Sequence, residues 1–503
     1  MTTSERESPL EIRLETPQVR GQRVDFLWHE SRPSGLYQDT RFHLKFPDSV
    51  PLEDIPAALW WTVFLLCLHS HWALLRPCRI HLPVQLPPGA RQLWETLIKH
   101  HAATLDALNP ERPLIGEVRL IEGAEMLPSI APRAGDLHCA LAFSGGKDSL
   151  SHVGLLCEMG FKPLLVSTTA LLPGIQLEAS QYRARALAEV QSRRGLELLE
   201  VASDFRAHWV NLIPREWGYR LSLNEITDTF LYTAALAVAG YARGATHLFL
   251  ASENELSANA VIDGVYLQHS HFMYSGLTQA AVSRLLTPVG LRYGSLTSGL
   301  QSSQVQELVT RRYPDLANLQ CSCWRGTDTV RACSDCSECR RLALISLACG
   351  GTPADLGVDM VRLMTRYHQR APRAESSYTH LPDRVASRGF RLQYARAIHS
   401  ITPLRMLSYL LRKHPGSLRK GALFKALGAF LKLRANTLAD FPNALDAAGY
   451  RAAYLDLLDP ALKARLEPVL SAQFPVAPLA EYAEQWNALR QTVDSLESAA
   501  VRI

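Results

Sequence analysis

One short stretch constrains the fold of this chain more than any other: an apolar run that breaks into a glycine pair with hydroxyl residues on both sides. It extends from Leu137 to Ser149, and apolar residues then continue with helical spacing from Leu150 to Met159. Leu141 and Phe143 place the apolar run in a buried strand. The pattern therefore predicts a strand, a tight turn and a helix in direct succession, which is the context that a phosphate-binding motif requires.

The turn itself, Ser144 to Ser149, has the composition of a phosphate cradle. Gly145 and Gly146 lack the Cβ atoms that would keep the backbone away from an anion. The first N–H groups of the following helix, together with its positive dipole end, would point at the phosphates. Lys147 could add positive charge, whereas the carboxylate of Asp148 suits a Mg²⁺ ion better than a bare phosphate.

This motif is not Walker A, which requires glycine, four residues and then Gly-Lys-Ser/Thr. Leu141 stands where the first glycine would be, and Asp148 follows the lysine. The sequence Ser-Gly-Gly-Lys-Asp-Ser instead resembles the signature of the N-type ATP pyrophosphatases, the PP-loop family, which cleave ATP between its α and β phosphates. The resemblance implies that Lys147 and Asp148 are catalytic and that Ser167 and Thr168 lie near the adenosine. The residues that it implies for pyrophosphate binding are Ser144, Gly145, Gly146, Asp148 and Ser149.

Length and composition describe an ordinary folded protein with several domains. The chain has 503 residues, of which 47% are hydrophobic and 20% charged, and its formal net charge is +5. This mild charge permits contact with a nucleotide or nucleic acid without arguing for it. The first residues lack the layout of a signal peptide, and the most apolar stretch, Ala57 to Leu68, is too short to span a bilayer. We therefore expect a cytoplasmic protein that does not contact the membrane.

The rhythm of strand and helix patterns predicts three regions. Residues 1–135 are expected to form an α+β domain, with an alternating strand from Arg41 to Phe46. Residues 136–350 are expected to form an α/β domain, a parallel sheet with helices on both faces like the adenine nucleotide alpha-hydrolase (PP-loop) fold. Residues 351–503 are expected to be helical. Ligands of such sheets bind beyond the carboxyl ends of the strands, where Ser252 to Asn254 would join the glycine turn.

Four cysteines predict a structural zinc site within residues 321–339. Cys323, Cys333, Cys336 and Cys339 have the spacing C-x9-C-x2-C-x2-C. Thiolates two residues apart in a tight turn can face one metal ion, and Cys323 would complete the tetrahedron without leaving a position for water. An iron–sulfur cluster is the alternative. Cys321 is either a substitute ligand or a bystander.

The two motifs together resemble the 7-cyano-7-deazaguanine (preQ0) synthases, the QueC branch of the PP-loop family, over roughly residues 137–347. The resemblance implies ATP, Mg²⁺ and Zn²⁺ as cofactors. It also implies that 7-carboxy-7-deazaguanine is activated as an adenylate before an amine gives an amide or nitrile. QueC has a glycine-rich, aspartate-containing substrate loop after the fourth strand, where this chain has Ser-Glu-Asn-Glu. Glu253 in that loop is expected to bind Mg²⁺ or the purine edge, or to be a surface carboxylate.

The chain is much longer than a stand-alone preQ0 synthase. Long QueC-like proteins of this outline are associated with bacterial anti-phage systems, including the Qat and type IV CBASS sets. The resemblance therefore implies a ligase that passes the activated carboxylate to an amine other than ammonia, for example on a partner protein. The alternatives are a housekeeping preQ0 synthase, a tRNA-modifying or thiolating PP-loop enzyme, and a nucleotide-sensing scaffold without turnover.

Two further segments allow coarser predictions. Pro372 to Arg388 is expected to be a linker or a mobile loop. Ile401 to Arg434 carries many basic residues among apolar ones. It is interpreted as a solvated helix face, with a surface for RNA, DNA or an acidic partner as the alternative.

Overall fold

The computed structural model describes most of the chain. The described residues are 8–108, 115–128, 130, 136–170, 180–208, 223–254, 260–262, 265–267, 274–323, 330–370, 395–413, 420–440 and 449–501. The strands, in chain order, are β1 (Leu10–Leu14), β2 (Gln18–Arg20), β3 (Arg23–Glu30), β4 (Arg41–Lys45), β5 (Cys78–Gln85), β6 (Val118–Met126), β7 (Cys139–Ala142), β8 (Leu164–Ala170), β9 (Leu198–Ser203), β10 (His247–Phe249), β11 (Ala260–Ile262), β12 (Val265–Leu267) and β13 (Arg292–Gly294).

The helices surround these strands and make up most of the C-terminal region. In chain order they are α1 (Ala57–Trp72), α2 (Ala90–Leu108), α3 (Lys147–Glu158), α4 (Ser180–Arg194), α5 (Leu223–Ala242), α6 (Gly276–Leu286), α7 (Ser302–Glu307), α8 (Pro314–Ala317), α9 (Ser337–Ala348), α10 (Met360–Arg370), α11 (Pro403–Lys413), α12 (Lys420–Asp440), α13 (Pro460–Ser471) and α14 (Ala483–Val501). The predicted α/β class and the helical C-terminal region are confirmed.

Within the described residues, eleven strands form one mixed sheet in the order β13-β10-β7-β8-β9-β4-β3-β1-β5-β6, with β2 paired to β3. The five strands from β13 to β9 are mutually parallel. The strands from β9 to β1 pair antiparallel, and β1, β5 and β6 are again parallel. The parallel sheet predicted from the alternation of strands and helices is therefore present, as one part of a larger sheet.

The strand order reverses beside β7. The chain continues from β7 to β8 and β9 on one side, whereas β10 and β13 lie on the other side. Parallel strands end at the same edge of a sheet, so the segments that follow these five strands share one edge. The gap between β7 and β10 at that edge is the switch point at which open α/β sheets bind ligands.

Alternate residues of the parallel strands face two different cores, because side chains of a strand point to opposite faces. Leu141, Leu165 and Phe249 pack with buried residues of α3, α4 and α13. Their neighbours Ala140 and Leu248 pack on the other face with α1, α5 and α6. The prediction of helices on both faces is confirmed.

The sheet also crosses the position at which the sequence suggests a domain boundary. β4 pairs with β9 through Leu44 with Ser203 and Lys45 with Ala202. Beyond this short ladder, Asp204 Oδ1 accepts a hydrogen bond from the His43 backbone N–H (2.7 Å), and its other carboxylate oxygen lies 2.7 Å from the His43 ring. The N-terminal strands and the parallel strands therefore meet at a junction that includes one partly buried carboxylate.

The C-terminal helices divide between two cores. α10, α11 and α12 pack along α9. α13 and α14 return to the sheet and pack into its two cores. Pro372 to Arg388 lies outside the described residues. In the part of the chain that the structure describes, no helix is both long enough and apolar enough to cross a membrane.

The basic residues that the sequence places between Ile401 and Arg434 lie largely on α11 and α12. Those with exposed side chains are Arg412, Lys413, Lys425 and Lys432. The location is compatible with a solvated helix face, and the alternative of a binding surface stays a prediction.

The Asp204 junction predicts a pH-dependent contribution to stability. Burial alone would raise the pKa of Asp204, but hydrogen bonds from the His43 and His208 rings and from the His43 backbone lower it to about 2. Because the folded pKa lies below the unfolded value, the carboxylate stabilises the fold above pH 4, and this contribution disappears as the pH falls toward 2. We expect Asp204→Asn to lower the free energy of unfolding at pH 7 by about 2 kcal/mol.

Urea unfolding of both proteins between pH 7 and pH 3 measures this effect. The difference between wild type and Asp204→Asn should shrink below pH 4. Asp39→Asn is the matched control, because Asp39 pairs with Arg41 on the surface, and it should change stability by less than about 0.5 kcal/mol. A difference that stays constant with pH would contradict this account of the junction.

Candidate nucleotide site and metal centre

The glycine turn lies at the carboxyl end of β7, as the sequence predicts. Gly145 adopts a φ of 76°, which an L side chain rarely tolerates. Gly146 is the N-cap of α3 and offers no side chain to its first N–H groups. One of these donors is already engaged, because the Lys147 backbone N–H donates to Ser322 Oγ (3.2 Å). The turn thus presents a helix N-terminus at the switch point of the sheet.

The two serines of the turn lie together. Ser144 is exposed and accepts a long hydrogen bond from the Gly146 N–H (3.4 Å). Ser149 Oγ lies 3.5 Å from Ser144 Oγ and donates to the Gly146 carbonyl (3.0 Å). Both hydroxyls are therefore at the turn that the resemblance assigns to pyrophosphate.

The Lys147 side chain points into the protein. Only 2% of it is exposed, and its Nζ donates to Asp148 Oδ1 at 2.6 Å and to Glu253. Burial alone would lower the pKa of Lys147, but these two carboxylates outweigh it and raise the pKa. Two of the three N–H donors of this ammonium are therefore engaged by carboxylates.

Glu253 is buried, so its interpretation as a surface carboxylate is wrong. Its side chain is 3% exposed and contacts Lys147 on one side and Arg341 Nη1 (3.3 Å) on the other. Burial alone would raise the pKa of Glu253, but the two cations lower it. Arg341 also pairs with Glu338 (3.0 Å) and donates to Ser302 Oγ (3.0 Å). Lys147, Glu253 and Arg341 form a buried chain of opposite charges, which we call the ion-pair relay.

Asp148 is the acidic residue of the turn that remains partly accessible. Its side chain is 35% exposed, and among the described residues its second carboxylate oxygen has no hydrogen-bond partner. Partial burial raises its pKa, and the Lys147 ammonium only partly offsets that effect. One accessible carboxylate beside a phosphate turn fits Mg²⁺, which is usually held by one or two carboxylates and the substrate phosphates.

Sequence reasoning missed a histidine that fixes this turn. His152, on α3, accepts from the Leu296 N–H (3.0 Å) through Nε2 and donates through Nδ1 to the Asp148 carbonyl (3.0 Å). Burial lowers the pKa of His152 to about 4, so the ring is neutral. Ser295, next to Leu296, exchanges hydrogen bonds with the backbone of Ser252. The hydroxyl-rich segment after β13 was the available signal for this network.

Ser167 and Thr168 lie on β8, beside the turn. The Phe143 N–H donates to the Val166 carbonyl (2.8 Å), which places Ser167 level with the beginning of the turn. Both residues are buried. Ser167 Oγ accepts a hydrogen bond from Arg183 Nη2 (3.2 Å). The structure thus brings together the residues assigned to the adenosine and those assigned to pyrophosphate.

The four cysteines Cys323, Cys333, Cys336 and Cys339 form one cluster, in which every sulfur lies within 4.8 Å of the others. A tetrahedron with metal–sulfur bonds of about 2.3 Å has sulfur–sulfur edges of about 3.8 Å. Cys333 Sγ and Cys339 Sγ are 3.8 Å apart. Backbone N–H groups donate to two of the sulfurs, Cys323 Sγ (3.4 Å) and Cys336 Sγ (3.3 Å). The cluster could therefore hold a metal ion such as zinc.

Without a bound metal, the pKa values of the cluster favour neutral thiols. Hydrogen bonding with the Cys323 sulfur raises the pKa of Cys336 to about 12. The same contact raises the pKa of Cys339. Four thiolates packed this closely repel one another unless a cation lies between them. Cys321 lies outside the cluster, and its Sγ donates to the Tyr182 carbonyl (3.6 Å). It is a neighbour of the cluster and not a fifth ligand.

The cysteine cluster and the turn are directly connected. The Cys321 N–H donates to the Gly145 carbonyl (2.8 Å), and Ser322 accepts from Lys147 as described above. Cys336 caps α9 by accepting from the Cys339 N–H, and Arg341 on that helix ends the ion-pair relay. A displacement of the cysteine cluster would therefore affect the turn through two connections: the hydrogen bonds of residues 321–322 and the ion pair of Arg341.

Neither the models of known protein families nor the curated proteins contain a match to this chain.

The ion-pair relay predicts that removing its central charge, that of Glu253, strongly lowers the stability of the fold. Glu253→Gln leaves the buried Lys147 ammonium with one partner fewer, so we expect the free energy of unfolding to fall by about 3 kcal/mol. Adding Lys147→Met to Glu253→Gln should cost less than the sum of the single changes, since both charges are then absent.

Urea unfolding at pH 7 measures these differences. Glu189→Gln is the control, because Glu189 forms only an exposed pair with Arg193 on α4, and its effect should stay below about 0.5 kcal/mol. An unchanged midpoint for Glu253→Gln, or strictly additive costs in the double variant, would show that the relay does not stabilise the fold.

The cysteine cluster predicts the metal content of the purified protein. Elemental analysis should find one zinc per chain, and X-ray absorption should show a shell of sulfur at about 2.3 Å. Cys336→Ser should lose the zinc and lower the melting temperature, whereas Cys321→Ser should keep it. Iron with acid-labile sulfide would support the alternative of an iron–sulfur cluster. Full zinc content in Cys336→Ser would contradict the assignment of ligands.

Proposed function

We propose that this chain is a QueC-like PP-loop ligase that activates the carboxylate of a 7-deazaguanine as an adenylate and transfers it to an amine, with release of AMP and pyrophosphate. The observation that carries the proposal is the glycine turn at the switch point of the parallel strands, beside β10. Sheets of this order bind nucleotides at that place. The adjacent cysteine cluster, with the spacing on which the resemblance rests, adds further support.

The turn is suited to pyrophosphate as a leaving group. The N-terminal N–H groups of α3 and the hydroxyls of Ser144 and Ser149 stabilise charge that develops on the β-phosphate as its bond to the α phosphorus breaks. The partly exposed carboxylate of Asp148 would hold Mg²⁺. When bound there, Mg²⁺ would neutralise part of the negative charge on the phosphates.

The remaining residues of the site position the turn. Lys147 is held by Asp148 and Glu253, so its charge orients the Asp148 carboxylate toward the cleft. The neutral His152 fixes the backbone carbonyl of the same residue. A free carboxylate is a poor electrophile. Its oxygen attacks the α phosphorus and displaces pyrophosphate, which forms an acyl adenylate; an amine then attacks the acyl carbon, and AMP leaves as the amide bond forms.

The amine acceptor is proposed to belong to a partner protein, in bacterial antiviral defence. Support comes from the length of the chain beyond the QueC-like region and from the altered loop around Glu253. The buried relay occupies this loop, so the loop differs from a glycine-rich loop that wraps a free base. Formation of an amide or nitrile with ammonia is the housekeeping alternative.

Turnover tests the proposal. The protein, incubated with ATP, Mg²⁺, 7-carboxy-7-deazaguanine and hydroxylamine as a small amine acceptor, should release AMP and pyrophosphate in equal amounts. Asp148→Asn should reduce this rate by about 100-fold or more, because the charge on the departing pyrophosphate loses its metal ligand. Chromatography of the nucleotides and a coupled pyrophosphate assay measure the two products.

Asp456→Asn provides the control, since Asp456 forms an exposed pair with Lys463 and, among the described residues, has no hydrogen bond or ion pair with the turn. Its rate should equal that of the wild type. Production of ADP, or no turnover with any deazapurine carboxylate, would overturn the proposed chemistry.

A further inference from the structure

Arg183 lies where the turn and β8 meet. It is in the first turn of α4, and its Nη2 donates to Ser167 Oγ (3.2 Å). One helical turn later, Leu187 comes within 3.8 Å of the position that a Cβ on Gly145 would occupy. Cys321 lies 4.0 Å from the same position, and the charge of Arg183 acts on its thiol. The guanidinium is therefore adjacent to both the phosphate turn and the proposed adenosine side of the cleft.

Among the described residues, no carboxylate lies at ion-pair distance from Arg183. In the described ranges it forms no ion pair, and its buried Nε has no hydrogen-bond partner. Glu200 contributes to its electrostatic surroundings without reaching ion-pair distance. By contrast, the buried guanidinium of Arg76 forms two hydrogen bonds with the carboxylate of Asp106. A largely buried cation without a counterion is costly, so its retention calls for an explanation.

A second cation adds to the positive potential at this place. Arg206 follows β9 and donates to the Tyr232 hydroxyl at 2.5 Å. Both Arg206 and Tyr232 act on the charge of Arg183. Arg206 disfavours the positive charge of Arg183, whereas Tyr232, Cys321 and Glu200 favour it; a bound oxyanion would add to the groups that favour the charge. The planar fork of arginine matches the oxygens of phosphate and carboxylate groups.

We propose that Arg183, oriented by Ser167, forms an oxyanion-binding subsite beside the glycine turn. The subsite takes either the α-phosphate of the nucleotide or the carboxylate of the acid that attacks it, two groups that must approach each other for adenylation. This inference rests on the proposed function and adds a residue that the sequence motifs do not contain.

Binding to the full-length protein distinguishes the two anions. The probes are AMP, α,β-methylene-ATP and inorganic pyrophosphate, each with Mg²⁺ and measured by calorimetry. If Arg183 binds the α-phosphate, Arg183→Gln should lower the affinity for AMP and α,β-methylene-ATP by about 10- to 100-fold. The affinity for pyrophosphate should stay unchanged. If it binds the carboxylate, all three affinities should persist and the KM for 7-carboxy-7-deazaguanine should rise by at least about tenfold.

Stability provides a readout that separates binding from a structural role. Removing a buried charge that has no counterion should leave the melting temperature unchanged or raise it. Arg183→Lys keeps the charge without the fork and should restore only part of the lost affinity. Arg185→Gln is the matched control, since Arg185 is exposed on the same helix and stacks over Tyr182. Arg185→Gln should bind and turn over like the wild type.

The outcomes separate the inference from the proposed function. Wild-type affinities together with a wild-type KM in Arg183→Gln would overturn the inference alone. A lowered melting temperature of Arg183→Gln, together with an equal loss of affinity for all three probes, would also overturn it, because that pattern indicates a structural role. If the wild-type protein bound none of the probes and showed no turnover, the proposed function would fail and the inference with it.

Discussion

The buried contact between Lys147 and Glu253 is the interaction on which the arrangement of the site depends. It joins residues 106 positions apart and spans the gap between β7 and β10, where the strand order reverses. Two charges removed from water persist only when their geometry is good and further partners are present. Arg341 and Asp148 supply those partners, so the turn, the loop after β10 and the metal-centre helix are held in one arrangement.

The sequence was most informative where structure is local. Period-two alternation identified β4, and the change to strand–helix alternation at Leu137 identified the parallel strands. The pairing of β4 with β9 could not be predicted from the sequence, because it consists of two residue pairs between distant segments and depends on the surrounding packing. β1 was overlooked although Leu10, Ile12 and Leu14 alternate inward; a five-residue alternation is too common in sequences to stand out.

The same distinction applies to the site. The positions of the turn and of the four cysteines follow from spacing along the chain. The direction of Lys147 does not, because a lysine beside a phosphate turn points outward or inward according to which carboxylates lie below it. Glu253 resembled a loop carboxylate by its neighbours in sequence, and only the convergence of Lys147 and Arg341 explains its burial. Arg183 belongs to none of the sequence motifs, so its position beside the turn could not be predicted.

The junction of β4 with β9 has a further consequence for the parallel strands. β9 hydrogen-bonds only to β8 and β4 in the part of the chain described by the structure. Were residues 8–130 removed, the backbone groups of Ala202 and Ser203 that pair with β4 would lose their partners at the edge of the parallel strands. A bare strand of this kind is a template for pairing with other chains. We therefore expect the N-terminal strands to protect the parallel strands from pairing with other chains.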